Sequence, residues 1–149
     1  MDLILWRHAE AALGSPDSER ALTAKGEKQA ERMARWLRAR LPDNVVVLAS
    51  PARRTQQTVR ALTDEFKTVE EVGLAASAES VLAAAGWAAR KGCVVVVGHQ
   101  PTLGETAALA LTGTKADWSV KKGAIVWLEC REDRGGAVRL RAALSADLI

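Results

Sequence analysis

The sequence predicts a single three-layer α/β/α domain with a mainly parallel central sheet and a C-terminal antiparallel hairpin. Two observations predict it: short apolar runs alternate with segments of helical periodicity, and the last two strand-like runs flank a Gly-Gly turn. Residues 3–6, 45–49 and 93–97 are continuous apolar runs, the last two mostly β-branched, which suits strands covered on both faces. Between the first two, Ala30, Met33, Ala34, Leu37 and Leu41 recur at helical spacing in a segment that starts near Thr23 and is stopped by Pro42. The second run leads into Ser50-Pro51, a serine able to cap a helix and a proline suited to its first turn; Thr55, Val59, Leu62 and Phe66 then mark a buried face. The third leads into Gly98-His99-Gln100-Pro101 and a helix carrying Leu103, Ala107 and Leu111, which Gly113 ends. A weaker helix over residues 79–90 precedes that third strand, and runs 124–130 and 138–142 around Gly135-Gly136 form the hairpin.

A chain of 149 residues is near the commonest domain size, so residues 1–149 are expected to fold as one unit. No stretch is apolar enough to span a bilayer, and neither a basic leader nor a small-residue cleavage site flanks the first apolar run, which predicts a soluble, cytoplasmic protein without membrane attachment. Cys93 and Cys130 fall in or beside strand runs and read as inert core thiols, since two cysteines make neither a zinc site nor a disulfide framework. A net charge of +3 suits an anionic ligand, but lysines and arginines scattered along the chain and few aromatic residues do not make a nucleic-acid surface.

The chain has two histidines, His8 and His99, and each stands immediately after an apolar strand run, as Arg7-His8 and Gly98-His99. The second strand run ends in Ser50-Pro51-Ala52-Arg53-Arg54. In a parallel sheet these three strand ends share one edge, where ligands of such folds bind, so two imidazoles and two or three guanidiniums meet in one crevice. Imidazole is a good nucleophile near neutral pH, and the rigid fork of arginine matches the oxygens of a phosphoryl group. His8 is therefore the candidate nucleophile and Arg7 and Arg54 the candidate phosphoryl ligands. Arg54 is preferred to Arg53 because it stands in the first turn of a helix, whose free N–H groups also favour an anion.

Arg7-His8-Ala9-Glu10, Ser50-Pro51-x-x-Arg54-x-x-Gln57-Thr58 and Val97-Gly98-His99-Gln100-Pro101 resemble the three motifs of the histidine phosphatase superfamily in order and spacing. Asp17-Ser18-Glu19-Arg20-Ala21-Leu22-Thr23-x-x-Gly26 and the short chain are more similar to its small phosphohistidine phosphatases of the SixA kind than to phosphoglycerate mutases. The resemblance implies a covalent phosphohistidine on His8, phosphoryl contacts from Arg7, Arg54 and His99, and hydrolysis by water with no metal or other cofactor. The implied partner is a phosphate-bearing substrate, a histidine-phosphorylated protein. Arg20, in the loop after His8, has two readings: a side chain that closes over the phosphate, or a solvent-exposed loop charge.

One departure bears on the substrate. Larger superfamily members that cleave phosphate esters use a carboxylic acid beyond the second motif to protonate the leaving oxygen, whereas residues 70–79 here carry only Glu70, Glu71 and Glu79, all expected to be solvated. An imidazole protonated on its other nitrogen leaves as a neutral molecule, so a phosphoramidate N–P bond suits an acid-poor site better than an alkyl ester. Other readings are a phosphomonoesterase of the same superfamily, a non-catalytic phosphate-binding module, and a metal enzyme built on His8, Glu10 and His99. Trp118 with Lys121 and Lys122 precedes the hairpin without clear periodicity and is a candidate border of the crevice.

Overall fold

The structure, a computed structural model, describes residues 1–149. Its six-stranded sheet has the order β3-β2-β4-β1-β5-β6. The strands are β1 (Asp2–Arg7), β2 (Val46–Ala49), β3 (Lys67–Thr68), β4 (Cys93–Gly98), β5 (Ile125–Arg131) and β6 (Ala137–Leu144). The first four are parallel, and β5 runs antiparallel to both β1 and β6, so the predicted parallel sheet and terminal hairpin are both present. Helices α1 (Ala24–Arg38), α2 (Arg53–Arg60), α3 (Ala78–Ala85) and α4 (Thr102–Thr112) make up the outer layers.

The alternation of side chains along β1 divides the core in two. Ile4 and Trp6 pack with Met33, Leu37 and Val59 on the α1 and α2 face, while Leu3 and Leu5 pack with Val81, Leu103 and Ala107 on the α3 and α4 face. Continuous apolar runs are what such a doubly covered sheet requires, and every residue of β4 is buried. Cys93 and Cys130 are buried and unpaired, as expected of core thiols, and burial pushes the Cys93 thiol up to about 12. No helix is long and apolar enough to cross a membrane.

Three local expectations are corrected. The weak helix predicted over residues 79–90 ends at Ala85, because Gly86 adopts the left-handed conformation (φ 67°) that terminates a helix. The helix after the second strand is capped at Ala52 rather than Ser50 and stops at Arg60, which leaves Leu62 and Phe66 beyond its end although both still pack on the core. The two-residue edge strand β3 has no sequence signal, since both of its residues are exposed and neither is apolar. In α1, by contrast, Thr23 caps the helix by accepting the Gly26 N–H at 3.0 Å.

Gly26 is required by close approach: a Cβ there would stand 2.0 Å from the carbonyl oxygen of Glu10. Gly26→Ala must therefore push α1 away from the chain that follows His8. A loss of at least about 3 kcal/mol is expected, in the range of severe overpacking. Urea unfolding of the variant checks it, and a midpoint unchanged from wild type would show that the two segments separate freely.

Candidate active site

Parallel pairing sets Arg7 opposite Gly98 and Ala49 opposite Val97, so the carboxyl ends of β1, β4 and β2 lie side by side. The first residues beyond them are tied by backbone bonds, His8 N–H to Gly98 O at 3.0 Å and Ser50 N–H to Val97 O at 3.1 Å. Residues far apart in sequence are thereby brought together: the His8 and His99 rings lie 5.4 Å apart, centroid to centroid. His8, Arg54 and His99 are 6%, 5% and 6% exposed, burial that is unusual for such groups without a functional or paired role.

Hydrogen bonds define the state of both rings. His8 Nδ1 lies 2.7 Å from the Ala9 carbonyl, which can only accept, so the ring proton sits on Nδ1 and the free lone pair on Nε2. His99 Nε2 is 2.8 Å from Ser50 Oγ. That hydroxyl accepts the Ala52 N–H at 3.3 Å and can donate its own hydrogen to His99 Nε2, the arrangement that puts the His99 proton on Nδ1. Ser50, expected to cap α2, is thus an orienting group for His99. Thr58 holds the other side, where its Oγ1 accepts the Ala9 N–H at 3.0 Å and donates to Arg54 O at 2.7 Å.

Three buried nitrogens, Arg7 Nε, Arg54 Nε and His99 Nδ1, have no hydrogen-bond partner. Buried donors are almost always paired, and an oxygen-rich anion is the ligand that would satisfy this set. Each guanidinium is also anchored to the protein. Arg7 Nη1 donates to Val120 O at 2.8 Å, and Arg54 donates from Nη1 to Asp17 O at 2.8 Å and from Nη2 to Asp17 Oδ2 at 3.0 Å. Arg53 is exposed and stands apart.

Asp17 had no role assigned from sequence, yet its carboxylate bridges Arg54 and Arg20, whose Nη1 donates to Oδ1 at 3.0 Å. Hydrogen bonds from Arg20 and then Arg54 hold this carboxyl below the ordinary aspartate range. The only advance signal was the Asp17-x-x-Arg20 spacing; its partner in α2 depends on how the loop folds back. Arg20 also donates from Nε to Ala12 O at 2.8 Å, so it braces its own loop and is linked to Arg54 through Asp17. Of its two readings, that of a free surface charge does not describe this geometry.

Glu10 is directed elsewhere, its Oε2 accepting from Thr23 Oγ1 at 2.9 Å, and no group of three His, Cys, Asp or Glu side chains is assembled as a metal site. The His8–Glu10–His99 triad is therefore not formed. Glu70, Glu71 and Glu79 are exposed, and Glu79 pairs with Lys115. Trp118 is partly exposed, its carbonyl held by Gln100 Nε2 at 2.8 Å, and Lys121 and Lys122 share a groove with Arg7.

Burial pushes the His8 pKa down to about 3, aided by the charges of His99, Arg54 and Arg7 and opposed by the Ala9 carbonyl. Burial likewise pushes His99 to about 4, with Arg54 the next cause. Both rings are consequently neutral in the empty site at pH 7. Because the chain has only two histidines, the imidazole Hε1 NMR signals test this directly. Neither should titrate between about pH 8 and pH 5, whereas both inflections should rise when inorganic phosphate or tungstate fills the crevice. An inflection near 6.5 in the free protein would refute the depressed values.

Residues 3–75 match the family model described as histidine phosphatase superfamily, branch 1. Two similar curated proteins are an uncharacterized protein of Picosynechococcus sp. (strain PCC 7002), 34% identical over 99% of this chain and 93% of the relative, and phosphohistidine phosphatase SixA of Escherichia coli K12, 31% identical over 70% of each. The solved structure of the protein histidine phosphatase SixA complexed with tungstate superposes with a TM-score of 0.81 at 23% identity, covering 99% of both chains. With the strand-end histidines and arginines assembled as described, this chain belongs to branch 1 of the histidine phosphatase superfamily and is a phosphatase of that superfamily.

Proposed function

We propose that this enzyme removes the phosphoryl group from phosphohistidine on a protein, through a covalent phosphohistidine on His8. His8 Nε2, with its lone pair free and its Nδ1–H held by Ala9 O, attacks phosphorus. The N–P bond to the substrate ring breaks, and its electron pair leaves on that ring's nitrogen. A substrate imidazole protonated on its other nitrogen departs neutral. Water then attacks the phosphorus on His8, regenerating the lone pair on Nε2 and releasing inorganic phosphate. Arg7, Arg54 and His99 Nδ1–H hold the phosphoryl oxygens as negative charge spreads over them. The related SixA structure holds tungstate, a tetrahedral oxyanion of the same kind. No metal or cofactor takes part in this scheme.

The observation that carries the choice of substrate is the state of Asp17, the carboxylate that contacts Arg54. Tied to two arginines and held ionised, it is a poor proton donor to a leaving alkoxide. General acid catalysis is worth about 10²–10⁴ in rate, a factor that an alkyl ester loses here and a phosphoramidate does not need. The test compares a phosphohistidine peptide, phosphoramidate, and aryl and alkyl phosphates in metal-free buffer, on wild type and His8→Ala. The N–P substrates should exceed the alkyl ester by at least about 100-fold in kcat/KM. Preference for the alkyl ester would replace this reading with that of a phosphomonoesterase.

A further inference from the structure

The lysines and arginines that look scattered in the sequence are gathered by the fold. Lys25, Lys28, Arg32 and Arg35 follow one another at three- and four-residue spacing along a single exposed face of α1. Lys121 and Lys122 line, with them, a groove of about 820 Å³ whose lining also includes Arg7. Arg7 is therefore common to the groove and to the crevice that holds His8. None of the four α1 cations takes part in an ion pair; among the groove's basic groups only Lys121 does, at 3.5 Å from Asp147 with both side chains well exposed.

Helix stability accounts for Arg35, a cation in the last turn, but not for the rest of the stripe. Like charges at these spacings are unfavourable, and Lys25 sits in the first turn, where the helix dipole disfavours a cation. An unpaired basic face leading to a phosphoryl-binding crevice is instead arranged for a second negatively charged part of whatever brings the phosphate. Its lining has one hydrophobic residue, Ala146, and no aromatic side chain on which nucleotide bases could stack. Glu10, Glu31 and Asp147 interrupt it, which suits a protein surface of mixed but mainly acidic charge better than a uniform polyanion.

We infer that the α1 groove is the docking surface for an acidic segment of the phosphorylated substrate protein, which it aligns so that the phosphohistidine enters beside Arg7. This rests on the proposed protein phosphohistidine substrate. His8 and His99 are almost wholly buried and do not themselves line the groove, so the link between the groove and their crevice is Arg7, which belongs to both. Attraction of this kind acts mainly on encounter and KM, leaving the chemical step unchanged.

Two phosphohistidine peptides of equal length test the inference, one with Asp and Glu flanking the phosphohistidine and one with Ser and Gln. Wild type should favour the acidic peptide by about tenfold in kcat/KM at low ionic strength, the gap closing as salt is raised. The triple substitution Lys25→Gln, Lys28→Gln, Arg32→Gln should bring the acidic peptide to the level of the neutral one through KM, with kcat and phosphoramidate turnover unchanged. Equal rates on the two peptides in wild type, or a preference that survives the substitution, overturns the inference. If phosphoramidate turnover falls as well, the single variants Lys28→Gln and Arg32→Gln decide, each expected to raise KM for the acidic peptide alone about two- to threefold. If wild type turns over aryl phosphate but neither peptide, the proposed function fails. The groove is then read by anisotropy of the unphosphorylated acidic peptide, whose binding to wild type and not to the triple variant supports it and whose failure to bind refutes it. A single-stranded oligonucleotide or an anionic vesicle that binds the groove more tightly than this peptide at physiological salt also refutes it.

Discussion

His8→Asn is expected to lower kcat/KM for a phosphoramidate substrate by at least about 10⁴-fold, a loss of roughly 5 kcal/mol or more of transition-state stabilisation. Asparagine is the informative replacement because its amide nitrogen takes the place of Nδ1 and can keep the bond to Ala9 O, while nothing replaces Nε2. The loss then reports the missing lone pair rather than a collapsed strand end. Rapid quench of wild type with labelled substrate should trap phosphate on the protein in an acid-labile, alkali-stable form, and the variant should trap none. Undiminished labelling of His8→Asn would move the nucleophile elsewhere.

The same variant carries a stability signature whose sign follows from the depressed pKa values. The His8 pKa of about 3 in the folded state lies below the ordinary 6.5, so as pH falls the unfolded chain takes up its proton first. The stability tied to a neutral His8 is complete above pH 7 and is lost progressively from about 6.5 downward, reaching about 2 kcal/mol by pH 5. His8→Asn removes that dependence. Relative to wild type, it should unfold at a higher temperature at pH 5 than its behaviour at pH 8 implies, and His99 should supply what acid sensitivity remains.

The parts of this molecule that could be read from its sequence are those whose cause is local. The strands β1, β2 and β4 announce themselves because burial on both faces demands unbroken apolar side chains, and His8 and His99 gain meaning from their places directly after such runs. Arg54 follows from its position in the first turn of α2. β3 is silent because two exposed polar residues pair only by virtue of the neighbouring strand. Ser50 misleads because its hydroxyl can cap a helix in principle, yet here it turns to His99 and leaves the cap to Ala52. Asp17 could not be placed, because its partner Arg54 is reached only when the loop after β1 folds across the start of α2. The stripe on α1 lies between these cases. Its spacing is visible in the sequence, but its position beside Arg7 requires the fold.

Arg54 is the second position at which a single change should abolish most activity. Its guanidinium uses Nη1 and Nη2 on Asp17, and Nε, buried without a partner, is left for the ligand. Lysine, a point charge without the planar fork, cannot hold Asp17 in the same two-bond geometry and still present a donor at the Nε position. Arg54→Lys is therefore expected to lose nearly as much as Arg54→Ala, about 10³-fold in kcat/KM, as for loss of a preorganised donor facing a developing charge. A merely structural arginine would leave His8 and His99 untouched, but Arg54 is one of the charges that holds both pKa values down. In Arg54→Ala both imidazole inflections should move up toward the ordinary histidine value, whereas Arg54→Lys, which keeps the charge, should leave them low while activity is still lost. That split between charge and geometry is the decisive readout. An Arg54→Lys enzyme within tenfold of wild type would mean that the positive charge alone suffices at this position and that the fork on Asp17 is dispensable.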